Sequence, residues 1–386
     1  MNIFYIITML SVLAAMLTNP AEALQSAQGA LNSWWNKVLP ALLPFFIISE
    51  ICSRTGLINA LGIWLMPIMR PLFRLPGAAA VGMLLGFFSG SPTGGAVAAE
   101  LRAQKLLTRN EGERMLAFCN NAGPLYLLIT VAALLDEPNI GYWLAAVQYP
   151  INLAFGLLLR FFAPADTEQQ NVIHLQQLWH NGLAALKNTP QLNISTLLKE
   201  SSAKALKNIG MIGAFMLCFS LLLLAVKSFR INQLLAAVLS PVCILLNLPP
   251  ETLSALTDGL FEMTLGIQTL AECNITLFDK LLAASVILGW SGLSIHSQIA
   301  GVCSNTDLRL KYYLPCRILH AISAPLILLM LKEYIVLNSS TYFADILPVW
   351  LCLPGAWLIP AMLLLIALLA ISFISCALTG FFKHNR

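Results

Sequence analysis

Long apolar runs follow one another along the chain, and several carry breakers or amide side chains near their middle. Residues 75–99 contain no charged side chain, yet Pro92 lies within them, and residues 115–135 are interrupted by Asn-Asn-Ala-Gly-Pro at 120–124. Apolar runs of this length predict membrane helices. Irregular backbone at membrane depth is tolerated only where it is packed in protein or lines a cavity. The pattern therefore predicts broken membrane helices around a polar site.

Basic residues flank the first of these runs on both sides, with Arg70 and Arg74 before it and Arg102, Lys105 and Arg109 after it. Basic residues are enriched on the cytoplasmic side, so both flanks are predicted to be inside. Each arm has about 12 residues, or about 18 Å of helix, which reaches the middle of a hydrocarbon core of about 30 Å. The run is therefore predicted to be a re-entrant hairpin that turns near Ser91 and Pro92.

The second half of the chain repeats this order of parts. A helix predicted over 209–226 precedes an apolar run that opens at Leu248-Pro249-Pro250, much as Leu75-Pro76-Gly77 opens the first. Residues 259–262 then align with residues 86–89, and a second helix is broken at Gly289-Trp290-Ser291-Gly292. If each half crosses the membrane an odd number of times, the halves are inverted. We predict an all-α polytopic membrane protein with two inverted repeats, each containing a re-entrant hairpin and a broken transmembrane helix.

Five segments follow from this scheme. They are an N-terminal membrane helix with its connection (1–36), a first repeat (37–163), a polar cytoplasmic linker (164–202), a second repeat (203–336) and a C-terminal membrane helix (337–386). Because no Lys or Arg precedes Lys37, the first helix is predicted to be retained rather than cleaved as a signal peptide. Arg309, Lys311 and Arg317 are interpreted as marks of the cytoplasmic side. The predicted number of membrane crossings places Lys227 and Arg230 on the opposite side, against the usual distribution of basic residues.

Composition supports the membrane class and excludes others. Of the 386 residues, 58% are hydrophobic and 10% charged, so a soluble globular fold is excluded. The net charge of +4 is spread over loops, which excludes nucleic acid as a partner. The nine cysteines form no Cys-x-x-Cys pair and are interpreted as buried thiols. No catalytic motif or metal-ligand spacing occurs, so we predict neither an enzyme nor a cofactor. The predicted partners are a small-molecule substrate and the lipid bilayer, and a homo-oligomer is left open.

The predicted site collects polar groups at the hairpin tips and helix breaks. Glu262 leads it, because a charged carboxylate near mid-membrane costs at least about 2.5 kcal/mol if unpaired, which predicts substrate contact and proton or ion coupling. Glycines at 82, 86, 90 and 94 are predicted either to pack helices closely or to expose backbone to a ligand. Glu50 and His320 are interpreted as structural. The predicted substrate-binding residues are Ser89, Gly90, Ser91, Pro92, Thr93, Gly94, Asn120, Asn121, Gly123, Glu262, Thr264, Gln268, Ser291, Gly292 and Ser294.

Three motifs together carry a family resemblance. They are Ser-Gly-Ser-Pro-Thr-Gly at 89–94, Asn-Asn-Ala-Gly-Pro at 120–124 and Gly-Leu-Phe-Glu-Met-Thr-Leu-Gly at 259–266. The chain resembles the nucleoside-recognition Gate domain proteins, and within them the YlbJ-type sporulation integral membrane proteins. The resemblance implies a fold similar to concentrative nucleoside transporters. It also implies a role in endospore formation, in the outer forespore membrane, where the stage V sporulation version moves dipicolinic acid toward the forespore.

The implied substrate is only partly matched by the residues. Helix N-termini and hydroxyl groups at the hairpin tips can hold carboxylates, but a negative Glu262 would repel them, and no Arg or Lys lies inside the two hairpins. Glu262 is therefore either protonated, a carrier of the coupling proton, or the ligand of a cation that travels with the substrate. Two alternatives stay open: a transporter of nucleosides or other small polar solutes, and a spore-envelope assembly protein without transport activity.

Overall fold

A computed structural model describes residues 2–163, 175–187 and 193–337 of the chain. Every regular element in these ranges is a helix. The predicted C-terminal membrane helix lies outside the described residues, apart from its first position.

The chain opens with two helices, α1 (Asn2–Thr18) and α2 (Pro20–Ser33), which meet at an angle of 110°. Pro20 is the first residue of α2, a position where its missing N–H would have no helical partner in any case. A π-helical turn, Trp34–Val38, follows α2. The first membrane helix therefore ends as predicted near Asn19, but its connection is itself a helix.

Two series of helices then follow the same order. The first series comprises α3 (Leu39–Arg54), α4 (Leu57–Phe73), α5 (Ala79–Ser89), α6 (Thr93–Ala103), α7 (Arg109–Phe118), a π-helical turn (Tyr126–Val131) that continues into α8 (Ala132–Leu135), and α9 (Ile140–Leu159), which ends in a 3-10 turn (Arg160–Phe162). After α10 (Leu175–Lys187), the second series comprises α11 (Ile194–Ser228), α12 (Ile231–Leu246), α13 (Thr252–Phe261), α14 (Met263–Glu272), α15 (Leu277–Trp290), α16 (Gly292–Cys303) and α17 (Tyr313–Met330), and a short α18 (Lys332–Leu337) closes the described chain.

Several of these helices are long and apolar enough to cross a bilayer. In the described ranges they are Ile140–Phe162, Ile194–Ser228, Leu277–Cys303 and Tyr313–Met330, with the bent N-terminal pair as a further candidate. The third of these spans takes in both α15 and α16. The protein is thus an all-α, multi-pass integral membrane protein, as the sequence predicted.

Each series contains a helical hairpin at the predicted place. Helices α5 and α6 pack against each other, and a Cβ on Gly82 would lie 3.1 Å from Cγ1 of Val97. Helices α13 and α14 pack still closer: a Cβ on Gly266 would lie 2.5 Å from Cα of Gly259. The first hairpin turns at residues 90–92 and the second at the single residue Glu262. Both turns coincide with the breakers and polar residues that predicted them.

Each series also contains a broken helix. Helix α7 ends at Phe118, and helical structure resumes at Pro124, just before the π-helical turn that begins at Tyr126. The second break is shorter, because Ser291 and Gly292 adopt left-handed φ values of 75° and 80° between α15 and α16. A Cβ on Gly292 would lie 3.1 Å from the backbone of Met263, so the second break presses against the tip of the second hairpin.

The segment predicted as a polar linker contains helical structure. Helix α10 packs on α4, where the rings of Trp179 and Trp64 stack with centroids 5.1 Å apart. The first turns of α11 also fall within residues 164–202. Leu178, on the same helix, is 1% exposed, whereas Trp179 is 49% exposed.

Two arginines, Arg114 and Arg317, are buried within the helical packing. Arg114 is 1% exposed and Arg317 is 0% exposed. Arg114 donates from Nη1 to the carbonyl of Phe73 and from Nη2 to that of Arg74, at 2.9 and 2.7 Å, so it satisfies the last carbonyls of α4. Arg317 lies within α17. A count of charges does not show which helical face packs inward, so the burial of these two side chains could not be predicted from it.

The loop between α16 and α17 is tied to α6 by one ion pair. Arg102 donates from Nε and Nη2 to the two carboxylate oxygens of Asp307, at 2.8 and 3.0 Å. The guanidinium group holds the pKa of Asp307 below its ordinary value of 3.8. Nearby, the buried carboxylate of Glu113 accepts from Arg109 and Arg309, so this end of the molecule joins the two series.

The Arg102–Asp307 contact is expected to respond to acid. Because the folded-state pKa of Asp307 is lowered, the contact contributes above the unfolded pKa and is lost as pH falls through the folded value. Hydrogen exchange of residues 304–308, corrected for the intrinsic rate, should therefore stay constant from pH 7 to 5 and rise only below about pH 4. In Asp307→Asn the exchange should be fast throughout. A rise in the wild type already at pH 6 would contradict this assignment.

Candidate functional site

A small cavity lies where the hairpin tips and the broken helices meet. Its free space is about 40 Å³, which holds a few water molecules but not a ring-sized solute. The residues that line it are Val38, Leu42, Phe46, Phe88, Ser89, Ser91, Asn121, Ala122, Gly123, Leu125, Tyr126, Ile212, Glu262, Met263, Thr264, Ser294, Ile295 and Gln298. The cavity thus joins the first hairpin tip, the first break, the second hairpin tip and α16.

The structure brings together about half of the predicted site. The predicted residues that line the cavity are Ser89, Ser91, Asn121, Gly123, Glu262, Thr264 and Ser294. Sequence reasoning missed Tyr126 and Gln298, which complete the polar side. It also missed the apolar wall that α3 and α11 supply, which includes Phe46 and Ile212. Gln298 stands one turn after Ser294 in a broken helix, and that spacing was the available signal.

Several polar atoms in the cavity have no hydrogen-bond partner among the described residues. They are both amide atoms of Asn121, Oγ of Ser91 and Oε1 of Gln298. A buried polar group without a partner costs about 1–3 kcal/mol. Groups of this kind are expected to bind water or a polar ligand, and here both donors and acceptors face the same small space.

Glu262 lies at the tip of the second hairpin, where it caps α14. One carboxylate oxygen accepts from the backbone N–H of Leu265 at 2.7 Å, and the other accepts from the hydroxyl of Thr264 at 3.2 Å. The Thr264 hydroxyl lies 3.0 Å from that of Tyr126, at the start of the π-helical turn after the first break. The second hairpin tip and the first broken helix are therefore linked by one buried polar chain. Glu262 itself is 3% exposed.

Asn120 and Asn121, which were predicted to act alike, have different surroundings. Asn120 accepts from the N–H of Gly95 and donates to the carbonyl of Leu116, both at 2.8 Å. It thereby joins the first turn of α6 to the last turn of α7. Asn121 alone of the pair lines the cavity, so the structure assigns Asn120 to the scaffold and Asn121 to the candidate site.

The other predicted residues also lie outside the cavity lining. Gln268 donates to the hydroxyl of Ser33 on α2, and the Ser291 hydroxyl donates back to the carbonyl of Leu288 at 3.0 Å. Gly90, Gly94 and Gly292 make close backbone approaches that shape the turns rather than contact the cavity. Pro92 and Thr93 line a different, larger cavity.

This larger cavity, which we call the vestibule, adjoins the first. It has a volume of about 620 Å³ and shares Phe46, Ser89, Ile212 and Gln298 with the small cavity. Charged residues Glu50, Glu100, Lys204 and Lys207 stand among its lining. The tip of the first hairpin therefore lies between the small cavity and a larger one that has charged residues in its wall.

An ion-pair network crosses one wall of the vestibule. Glu50 accepts from Arg54 at 2.8 Å and from Lys204 at 2.9 Å, and Arg54 also contacts Glu200. These contacts tie α3 to α11, the two helices that carry the apolar wall of the small cavity. The structural interpretation of Glu50 agrees with this geometry.

Asp258 is a buried acid that the predicted site omitted. Its Oδ2 accepts from Nζ of Lys227 at 3.0 Å and from the Thr269 hydroxyl at 2.8 Å, while the residue is 4% exposed. The contact joins both arms of the second hairpin to α11, and it gives Lys227 a partner. An acid within an apolar run was the signal in the sequence. Elsewhere in the described ranges, no group of three or more His, Cys, Asp or Glu side chains is placed to hold a metal ion.

Two comparisons with known proteins show what the chain is similar to. Residues 35–134 match the family model described as "Gate: Nucleoside recognition". The chain is also 29% identical to "Sporulation integral membrane protein YlbJ" of Bacillus subtilis (strain 168) over 324 residues, which cover 82% of this chain and 79% of that protein. The predicted resemblance to this family is confirmed. No solved structure matches the chain.

The Gate match covers the part of the chain that forms one side of the cavity. It begins at the π-helical turn before α3 and ends in α8, so it includes the first hairpin, the first break and Tyr126. Glu262, Thr264 and Gln298 come from the second series, outside the match. The candidate site is thus assembled from a segment inside the Gate match and a segment outside it.

Proposed function

We propose that the protein is a secondary transporter that moves a small polar or anionic solute through the cavity between the two hairpin tips. The observation that carries the proposal is the set of unpartnered polar groups of Ser91, Asn121 and Gln298 around one closed space. In transporters, irregular backbone at membrane depth lines such substrate sites. The chain would then have no catalytic residue, and its partners would be the solute and the bilayer.

The packing of the helices supports an alternating-access mechanism. Helix α6 of the first hairpin packs on α16 of the second broken helix, and α14 of the second hairpin packs on α8 of the first. This exchange is what two inverted repeats similar to concentrative nucleoside transporters would produce. The small cavity is too tight for a ring, so a solute would enter by displacement of the first hairpin tip toward the vestibule. Basic residues are enriched on the cytoplasmic side of membrane proteins, so Lys204 and Lys207 in the vestibule lining support a mouth on that side.

The preferred solute is dipicolinic acid, moved across the outer forespore membrane of a sporulating bacterium. The name of the Bacillus relative, a sporulation integral membrane protein, supports that setting. The cavity lining contains donors for carboxylates but no Lys or Arg. A dicarboxylate therefore requires Glu262 to be protonated or to bind a cation that travels with it.

The second candidate is a nucleoside or a similar neutral solute. The description of the matching family model favours it, and so does Asn121, whose amide offers a donor and an acceptor side by side. A non-transporting assembly role is the third candidate. Under that role the cavity would be a packing defect and no solute would cross.

Uptake into proteoliposomes separates the three candidates. Purified protein would be reconstituted, and labelled dipicolinic acid and labelled uridine would be offered in separate experiments, with and without a pH gradient. Saturable uptake of dipicolinic acid that uridine does not inhibit supports the preferred solute. Uptake of uridine alone keeps the transporter and replaces the solute. Absence of flux for both, from protein that is folded and monodisperse, rejects transport of these solutes and favours the assembly role.

Glu262→Gln is expected to reduce accumulation driven by a pH gradient by at least about tenfold, which corresponds to about 1.4 kcal/mol. The glutamine oxygen can still accept from the Leu265 N–H, so α14 keeps its cap and the protein should fold. Glu251→Gln, on the same hairpin but exposed, is the matched control and should behave as wild type. If Glu262→Gln retains full pH-driven uptake, Glu262 does not couple transport to protons.

A further inference from the structure

Arg317 is a fully buried cation whose hydrogen-bonding capacity is only partly used. Its Nη2 donates to the side-chain oxygen of Asn152 and to the carbonyl of Ala117, the latter at 3.4 Å. Its Nε and Nη1 have no partner among the described residues. The described ion pairs do not include Arg317 either. The charge thus lies between the two series, with Asn152 and Ala117 from the first and Arg317 from the second.

Arg114 shows how the same fold satisfies a buried arginine. Its Nε donates to Asn110 at 2.9 Å, and its two terminal nitrogens donate to the carbonyls of Phe73 and Arg74. Each guanidinium nitrogen of Arg114 therefore has an acceptor, which is the arrangement of a structural helix cap. Arg317 also contacts a helix end, because Ala117 is in the last turn of α7. However, two of its three guanidinium nitrogens have no hydrogen-bond partner among the described residues.

The surroundings of Arg317 contain further unpartnered nitrogens. His320 lies one turn later on α17, is 0% exposed, and has no partner for either ring nitrogen in the described chain. The Tyr313 ring centre is 5.9 Å from the guanidinium carbon of Arg317, and the Tyr313 hydroxyl lies 3.0 Å from Nδ1 of His296. Nε2 of His296 is again unpartnered. The patch is rich in nitrogen, and none of the described carboxylates is paired to it.

We propose that Arg317 and His320 form a binding site for a small inorganic anion, with chloride as the probe, at the junction of α7, α9 and α17. An unpaired buried charge is strongly unfavourable, whereas an anion accepts the free N–H groups and neutralises the charge. Because Arg317 already contacts Asn152 and Ala117, anion binding would stabilise the packing of one series on the other. The site is separate from the solute cavity, and it stands whether or not the protein is a transporter.

The test is the thermal stability of the purified full-length protein in detergent, measured as chloride replaces gluconate at constant ionic strength and pH. The melting temperature should rise with chloride and saturate. Labelled chloride should bind at one equivalent per chain. A melting temperature that does not depend on chloride, together with the absence of labelled binding, would mean that water alone fills the junction, and it would overturn the proposal without any variant.

Variants test whether the effect of chloride on the melting temperature depends on Arg317. Arg317→Met should lose the chloride response while folding in its absence, because removal of an unpaired buried charge relieves its desolvation. Arg114→Met, the matched control, should lower the melting temperature but keep the chloride response. A response that persists in Arg317→Met would refute the site.

His320→Phe provides a second route if Arg317→Met does not fold. The phenylalanine ring can keep the edge contact with Phe155, whose ring centre lies 5.9 Å from that of His320, but it removes the nitrogens. The half-saturating chloride concentration should rise at least about threefold. An unchanged value would remove His320 from the site and leave Arg317 without the second ligand on which the proposal depends.

Discussion

Asn121→Ala is expected to lower solute uptake by about 10- to 100-fold while the melting temperature changes little. Both amide atoms of Asn121 face the small cavity without a partner in the described structure. Their removal would eliminate one or two hydrogen bonds to the solute, at about 1–1.5 kcal/mol each, and would leave no new unpaired group in the protein. Initial rates of uptake into proteoliposomes, normalised to reconstituted protein, measure this loss.

The same substitution at the neighbouring Asn120 is expected to affect stability rather than uptake. Asn120→Ala removes the acceptor of the Gly95 N–H and the donor to the Leu116 carbonyl, so it leaves buried backbone groups unsatisfied. Its expected result is a loss of stability of about 2–3 kcal/mol, seen as a lower melting temperature, with reduced recovery of folded protein. If Asn121→Ala destabilises the protein as much as Asn120→Ala does, Asn121 belongs to the scaffold and the cavity is not the site.

Gly94→Ala is expected to prevent stable packing of the first hairpin on the first broken helix. A Cβ at Gly94 would lie 2.0 Å from the carbonyl oxygen of Cys119, and one at Gly86 would lie 2.1 Å from the same atom. The obstacle is backbone, which cannot rotate away as a side chain can. Overpacking costs about 1–3 kcal/mol where side chains can yield, so the loss here should reach at least about 3 kcal/mol. Size-exclusion profiles and melting curves in detergent would report it.

Alanine substitutions at other glycines are expected to cost less stability, in proportion to the space around each one. At Gly82 the nearest atom to a new Cβ is the terminal methyl of Met115, at 1.7 Å, which can move, so Gly82→Ala should cost less than Gly94→Ala. Gly210, in the interior of α11, has no such neighbour within 4 Å, and Gly210→Ala should be neutral or stabilising by up to about 1 kcal/mol. Equal tolerance of all three changes would mean that the hairpin and the broken helix are not in contact. Of the two interpretations of the glycine series, the structure supports close packing.

Much of the architecture could be predicted because its signals are local. The helices are interrupted next to Pro92, next to the Gly-Pro pair at 123–124 and at Ser291, so both breaks and the turn of the first hairpin occur close to their predicted positions. Hydrophobic length predicted the membrane class for the same reason. Glu262 was found because a carboxylate within an apolar run is costly wherever that run packs.

The composition of the site could not be predicted in the same way. Asn120 and Asn121 are adjacent and chemically identical, and only the course of the chain after Phe118 directs one toward Gly95 and the other toward the cavity. Gln268 and Gln298 occupy similar surroundings in the sequence, yet the first contacts Ser33 and the second lines the cavity. Such choices depend on which helix lies opposite, and that neighbour can be more than 200 residues away.

The sequence by itself determined that this protein is an all-helical membrane protein and where its helices break, since apolar length and backbone-breaking residues act over a few positions. Only the tertiary structure decided which polar groups share one closed space and which arginines are buried. Arg317 carries the same charge as Arg309 and Lys311, its exposed neighbours in the sequence. Packing of α17 against α7 and α9 is what removes it from water, because burial depends on contacts between distant segments and not on the residue itself.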